Sequence, residues 1–184
     1  LGLSQLHDEM ELPLCAVLAE MERTGFTVDR AALYAFGESL TETVAALQER
    51  IWALAGEEFN INSPKQLGTV LFEKLMLPAG KKTKSGWSTN ADVLEKLRGK
   101  HEIVDCILEY RQLTKLKSTY ADGLLKVIGS DGRIRTSFQM TVTATGRLSS
   151  TEPNLQNIPV RTPLGAEIRK MFIASRGCVL VDAD

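Results

Sequence analysis

From Leu33 onward, apolar residues recur at Phe36, Leu40, Val44, Leu47, Ile51 and Leu54, in steps of three and four only, which marks one face of a single helix. Asp29 is placed to cap that helix and Gly56 to end it. Over residues 30 to 55 it would run about 39 Å at a rise of roughly 1.5 Å per residue. A second stripe at Ile103, Ile107, Tyr110, Leu113, Leu116, Tyr120, Leu124 and Val127 predicts a helix of matching length from about 102 to 128. Each stripe is costly in water, so the expected solution is that the two bury each other as a long antiparallel pair.

Shorter elements surround this pair. Residues 12 to 24 read as a helix ending at Gly25, followed by extended Phe26-Thr27-Val28. Between the long helices, Ser63 is a candidate N-cap with Pro64 at the first helical position, giving a helix to about Leu75 that Pro78 and Gly80 stop. Lys81 to Gly86 reads as a mobile basic loop, and Thr89 with Asp92 three residues on predicts a capping box that opens a helix to about Leu97. After Gly129 the period becomes two: Ile134, Thr136, Phe138, Met140 and Val142 alternate with Arg133, Arg135, Ser137 and Gln139, a strand entered through the Asp131-Gly132 turn. Leu164 to Lys170 predicts a short helical turn, and the continuous apolar run Cys178 to Val181 a buried central strand. The fold class is therefore mainly α with a small β part (α+β): a long helical pair with a small helical tip, then the beginning of a sheet.

Composition changes this picture little. With 184 residues, 43% of them hydrophobic and 24% charged, the chain is ordinary for a globular protein. No apolar run approaches the roughly 18 to 20 residues that cross a bilayer, and the acidic start lacks the regions of a signal peptide, so the expected location is cytoplasmic with no membrane partner. Cys15, Cys106 and Cys178 are odd in number and far apart, and are expected to be small core residues; His7 and His101 are expected at the surface or in caps. Tyr110, Tyr120 and Trp52 fit the apolar stripes as core, whereas Trp87 either anchors its loop or meets a ligand. Charge is informative only by region. Residues 1 to 59 carry 3 basic and 11 acidic side chains, and residues 60 to 120 carry 11 basic and 6 acidic, so a polyanion would sit on the middle segment.

The stretch from Thr143 to Pro159 is built differently from everything before it. It has few apolar side chains, and its glycine and prolines restrict the backbone. It presents one guanidinium, two nearby amides and several hydroxyls, a mixture suited to the sugars, phosphates and minor-groove acceptors of a nucleic acid, and equally found on ordinary surface loops. Thr-Ala-Thr-Gly-Arg-Leu-Ser-Ser at 143 to 150, with Pro-Asn-Leu-Gln-Asn-Ile-Pro at 153 to 159, resembles the family A DNA polymerases, the bacterial DNA polymerase I group. So do Glu109 to Tyr120, Asn62 to Leu67 and Ile168 to Ala174, all in the family's order.

The resemblance implies a thumb over residues 1–129, with its tip at about 60–98, and the N-terminal part of a palm over 130–184, truncated at the motif that Val181-Asp182-Ala183-Asp184 begins. Asp184 takes the place of the family's catalytic, metal-binding aspartate; Asp182 departs from the pattern, which has a small or neutral residue there. By the same resemblance Arg147 lies at the primer end, and Asn154 and Gln156 match amides that touch the minor groove or template, with Thr143 in the same motif. Arg111 and Lys115, four apart, share a helix face, with Lys117 elsewhere on the wheel; by the resemblance this region, with the Thr119 hydroxyl, faces the duplex backbone. Asn62, Ser63 and Lys65 are placed to grip a phosphate at a helix N-terminus, and Lys82 and Lys84 make the tip basic.

The implied partners are primer-template duplex DNA and, in the complete enzyme, deoxynucleoside triphosphates. The implied cofactor is Mg2+, two ions in the complete enzyme and none held by the fragment. The fragment itself is expected not to polymerise, and the parent is not expected to oligomerise. The alternative from the residues alone is a stand-alone nucleic-acid-binding helical module without catalysis; a structural scaffold using the acidic first 59 residues would leave the 143 to 159 loop unexplained.

Overall fold

The computed structural model describes residues 2–78, 82–83, 86–160 and 162–181. In chain order its elements are α1 (Leu12–Thr24), β1 (Phe26–Thr27), α2 (Arg30–Ala55), α3 (Pro64–Gly68), β2 (Lys82–Thr83), β3 (Gly86–Trp87), α4 (Ala91–Lys96), α5 (Glu102–Leu116), α6 (Asp122–Val127), β4 (Arg133–Ile134), β5 (Ser137–Gln139), β6 (Ser149–Thr151) and α7 (Pro163–Lys170). Three stretches of wider, π-type turns adjoin these helices: His7–Glu11 before α1, Thr69–Lys74 after α3, and Lys117–Ala121 between α5 and α6. The helix expected to run unbroken from 102 to 128 is thus interrupted by a widened turn. A stripe with steps of three and four is compatible with either geometry.

Residues Gly37–Ser118 form one compact unit. Its core joins Ile51 and Ala55 of α2, Leu67 of α3, Val70, Leu71 and Phe72 of the following wide turns, and Ile103, Val104, Ile107 and Tyr110 of α5. Arg50 near the end of α2 pairs with Glu102 at the start of α5, and Ile51 and Ala55 share a core with Ile103 and Ile107. Trp87 is half-buried against the Phe72 ring, with centroids 5.4 Å apart, and its indole N–H donates to Glu73 at 3.0 Å; the residue anchors its loop. That loop contains a two-residue hairpin, β2 paired with β3, where the sequence suggests only a mobile connection.

The helix α4 is capped by Asn90, whose Oδ1 accepts the Val93 N–H at 3.0 Å, and not by Thr89. Thr89 is buried instead, its carbonyl and hydroxyl both taken by the Arg111 guanidinium. At the head of α5, His101 is the cap, its Nδ1 accepting the Ile103 N–H at 3.1 Å. The expected surface or cap role of that histidine is met.

Residues Leu1–Phe36 and Thr119–Asp184 form the second unit. The packing groups the first 36 residues with the C-terminal part, where β1 pairs antiparallel with β4 (Phe26↔Ile134, Thr27↔Arg133). The other edge of this short strand is held by Ile173 N–H to the Thr27 carbonyl at 3.0 Å and by Asp29 N–H to the Met171 carbonyl at 2.8 Å. Asp29 in turn caps α2, accepting the Ala32 N–H at 2.9 Å. Gly25 ends α1 at φ +64°, and any Cβ there would sit 2.6 Å from the Ile134 carbonyl oxygen, so only glycine lets α1 turn into β1.

The alternating segment after Gly129 is two strands, β4 and β5, with β5 paired to β6 in the register Ser137↔Thr151, Phe138↔Ser150 and Gln139↔Ser149. Ile134 and Thr136 are buried, as the alternation predicts. The run Cys178 to Val181 is not a buried strand: Val179 and Val181 are 80% and 83% exposed, and no described strand pairs with them. An apolar run becomes a central strand only with neighbours on both sides.

Of the cysteines, Cys106 alone is buried, while Cys15 and Cys178 are exposed, which corrects the reading of all three as core. Tyr110 and Tyr120 are buried as expected. Among the described residues no helix is long and apolar enough to cross a membrane.

Candidate nucleic-acid interface

The predicted site residues fall into two groups, one in each unit. In the second unit, the ribbon of β5 and β6 raises the loop that carries Arg147. Gly146, at φ +74°, turns the chain back toward β6, and the Thr143 hydroxyl donates to the Arg147 carbonyl to close the bend. Arg147 itself is exposed, and among the described residues its guanidinium makes no hydrogen bond or ion pair.

The rest of the loop is braced from within. Asn154 Oδ1 accepts the backbone N–H of Gln156 at 3.0 Å and of Asn157 at 3.3 Å, an Asx turn that leaves the residue exposed. Gln156 is committed at both ends of its carboxamide, accepting from Ser150 N–H at 3.2 Å and donating to the Leu148 carbonyl at 3.0 Å. Beneath it, the Ser150 and Thr136 hydroxyls lie 2.6 Å apart in a buried cluster that also reaches the Pro153 carbonyl. Tyr120 donates its hydroxyl to the Asn157 carbonyl, and burial pushes that phenol up from its ordinary range.

In the first unit, Ser63 caps α3 by accepting the Gln66 N–H at 3.4 Å, as the sequence predicts. Asn62 and Lys65 flank it on the exposed surface, and Asn62 Nδ2 donates to the Tyr110 hydroxyl at 3.3 Å. Lys115 is exposed on α5, Lys117 is half-buried in the wide turns that follow, and Thr119 is exposed at the start of the other unit. Arg111 differs from its neighbours: it is half-buried, it is bonded to Thr89, and burial lowers its pKa from the ordinary guanidinium value. A cation already spent on a carbonyl and a hydroxyl of its own unit is a brace before it is a ligand for phosphate. Lys82 lies on β2, paired with Trp87. Lys84, Asp182 and Asp184 lie outside the described residues.

Sequence reasoning missed the bracing residues Thr136, Ser150, Tyr120 and Thr89. One signal was present: Thr136 is a hydroxyl on the apolar face of an alternating strand, where only a partnered polar group is tolerated.

Comparison with known proteins adds an independent line. The profile of DNA polymerase family A matches residues 30–184. The chain is 59% identical over 172 residues to a DNA polymerase I of Geobacillus stearothermophilus, covering 93% of this chain and 20% of that protein. It is 56% identical over 182 residues to a thermostable DNA polymerase I of Thermus aquaticus, covering 97% of this chain and 22% of that one. Among solved structures it is similar to the POL domain of Pol1 from M. smegmatis in complex with DNA primer-template and dNTP, with a TM-score of 0.87 and 45% identity, covering 94% of this chain and 31% of that one. The chain thus spans about a fifth of the length of these curated relatives.

Proposed function

The chain belongs to DNA polymerase family A, and from that premise we propose that it is the part of a DNA-directed DNA polymerase that holds primer-template duplex DNA. In this reading residues 1–129 serve as the thumb, with a tip at about 60–98, and residues 130–184 as the first part of the palm. The observation that carries it is the 143–157 loop, which is braced by the Thr143, Ser150, Asn154 and Gln156 side chains and holds an exposed guanidinium that makes no hydrogen bond or ion pair among the described residues. A guanidinium so held can donate to purine N3 and pyrimidine O2, the minor-groove acceptors common to all base pairs, and so tests pair shape without reading sequence. Asn154 and Thr143 stand beside it, while Lys65, Lys82, Lys84, Lys115 and Lys117, with Asn62, Ser63 and Thr119, would supply backbone contacts. The M. smegmatis Pol1 structure, with its primer-template and dNTP, supports duplex DNA and deoxynucleoside triphosphates as partners of the complete enzyme.

Family A DNA polymerases use divalent metal ions. We assign Mg2+, two ions in the complete enzyme, with Asp184 as one ligand; when bound, such ions stabilise the attacking and leaving oxygens of phosphoryl transfer. Among the described residues no group of three or more His, Cys, Asp or Glu is placed to hold a metal. The 184-residue chain would not extend a primer alone, and its setting would be the cytoplasm.

The test is an anisotropy titration of labelled primed duplex at several salt concentrations. Affinity should fall steeply with salt and vary little with sequence. Arg147→Ala should weaken it by about 10- to 100-fold, the loss of charge-assisted bonds worth roughly 1.5 to 3 kcal/mol. No affinity in dilute buffer, or a strong sequence preference at fixed salt, would overturn the reading.

A further inference from the structure

We propose that Glu22 is a positioning residue for the DNA-binding loop: its carboxylate, bonded across a cavity to the Phe138 N–H, sets where the ribbon of β5 and β6 stands and so where Arg147 is presented. This rests on the reading of the 143–157 loop as a DNA contact. A carboxylate has only acceptors to offer and is repelled by phosphate, so any effect of Glu22 on DNA must pass through other residues.

Nothing in its own helix explains the residue. Glu22 lies in the last turn of α1, where the free backbone carbonyls gather partial negative charge and a carboxylate is disfavoured. Among the described residues it makes no ion pair that would offset this. Its Oε1 instead accepts the backbone N–H of Phe138, 116 residues away, at 2.6 Å. That N–H is available because Phe138 stands opposite Ser150 and turns its amide away from β6, as every second residue of an antiparallel pair does.

The space around this bond shows why it matters. Between α1 and the ribbon lies an apolar cavity of about 270 Å³, lined by Met21 on the helix side, by Ile134 and Phe138 on the strand side, and by Phe26 and Leu155. Walls that enclose a space do not fix their own separation, because dispersion contacts are lost within about 1 Å of a gap. Polar ties span it. Arg135 Nε donates to the Arg23 carbonyl at 3.0 Å just before β5 begins, and Glu22 grips the middle of the strand. Past its end, Cys15 Sγ and Met140 Sδ lie 3.5 Å apart, a thiol–thioether contact with little strength. The Glu22 bond is thus the charge-assisted tie made to β5 itself, and Ser150, opposite its partner, is three residues from Arg147. Without it the ribbon stays rooted at Arg135 and is free to tilt over the cavity, carrying the loop with it.

Two double-mutant cycles on primed-duplex affinity, measured by anisotropy at one low salt concentration, test this. Glu22→Ala should weaken binding by about 3- to 10-fold, a part of the worth of one charge-assisted hydrogen bond. Combined with Arg147→Ala the losses should fall short of multiplying, because the tilted loop has already lost its guanidinium. Combined with Lys65→Ala, in the Gly37–Ser118 unit, they should multiply. Glu22→Gln keeps an oxygen acceptor of the same reach and should bind within about 2-fold of wild type. Exchange of the Phe138 amide proton should speed up in Glu22→Ala and stay slow in Glu22→Gln.

A loss that multiplies with Arg147→Ala as it does with Lys65→Ala would mean that Glu22 acts through the folded population as a whole, and would overturn the inference. Full affinity in Glu22→Ala, or a loss in Glu22→Gln as large as in Glu22→Ala, would overturn it as well while leaving Arg147 in place. Full affinity in Arg147→Ala would remove both the inference and the reading on which it stands.

Discussion

Arg111→Ala separates a brace from a ligand. The guanidinium donates to the Thr89 carbonyl and, at 3.3 Å, to the Thr89 hydroxyl, and Thr89 is 4% exposed. Truncation would leave a buried carbonyl without its donor, which costs about 1 to 3 kcal/mol, while the hydroxyl can turn toward another acceptor. The arginine is only half-buried, so the lost packing of its stem adds less than a core truncation would, and a total of about 2 to 3 kcal/mol is expected. With a urea slope of about 1.5 kcal/mol per molar, the midpoint should drop by roughly 1.3 to 2 M.

Both tryptophans, Trp52 and Trp87, lie in the Gly37–Ser118 unit that contains this contact, so intrinsic fluorescence follows it selectively. Arg111→Lys, whose ammonium is a point donor and cannot fork, should lose about half as much. A midpoint unchanged in Arg111→Ala, together with a loss of duplex affinity as large as that of Arg147→Ala, would refute the bracing argument and make Arg111 a DNA ligand.

Two further outcomes follow from ionisation and exposure. Arg135 beside Asp131, 2.6 Å away, holds that carboxyl down to about 2 from its ordinary 3.8. Since the folded value is the lower one, the pair's contribution is present above the unfolded pKa and is lost as pH falls from about 4 through about 2. Asp131→Asn should therefore lower the melting temperature at pH 6 and lose most of that effect near pH 2; an equal effect at both would show that the charge is irrelevant. Cys106 is buried and its thiol is pushed up by desolvation, whereas Cys15 and Cys178 are exposed. Iodoacetamide at neutral pH should label two cysteines in the folded chain and all three in denaturant, as counted by mass spectrometry. Three labels under native conditions would contradict the burial.

The α2 helix was fully legible in the sequence because its stripe, its Asp29 cap and its Gly56 terminator are all local signals that agree. The wide turns at 69–74 and 117–121 were not, since a helix face with steps of three and four does not reveal which carbonyl each amide reaches. Thr89 and Asn90 are both competent caps, and the choice between them was made by Arg111, 22 residues away, a contact no local pattern encodes. The exposed Cys178–Val181 run was misread for a related reason: hydrophobicity states what a segment requires, not whether its neighbours are present.

In the candidate site, the motif at 143–159 marked the loop that β5 and β6 carry, and the resemblance marked the arginine that the structure leaves exposed on it. Gln156 shows the limit. Its residue type suits a base edge and a backbone contact equally, and no local pattern reveals its bonds to Ser150 and Leu148.

The ribbon of β5 and β6 has both of its outward amides occupied by side chains, Glu22 on one side and Gln156 on the other. A two-stranded ribbon ordinarily offers two open edges on which another polypeptide can crystallise strand by strand. Here an incoming chain would first have to displace a carboxylate fixed on α1 and a carboxamide fixed at 3.0 and 3.2 Å, so the edges of the ribbon that carries the exposed Arg147 are shielded from strand addition.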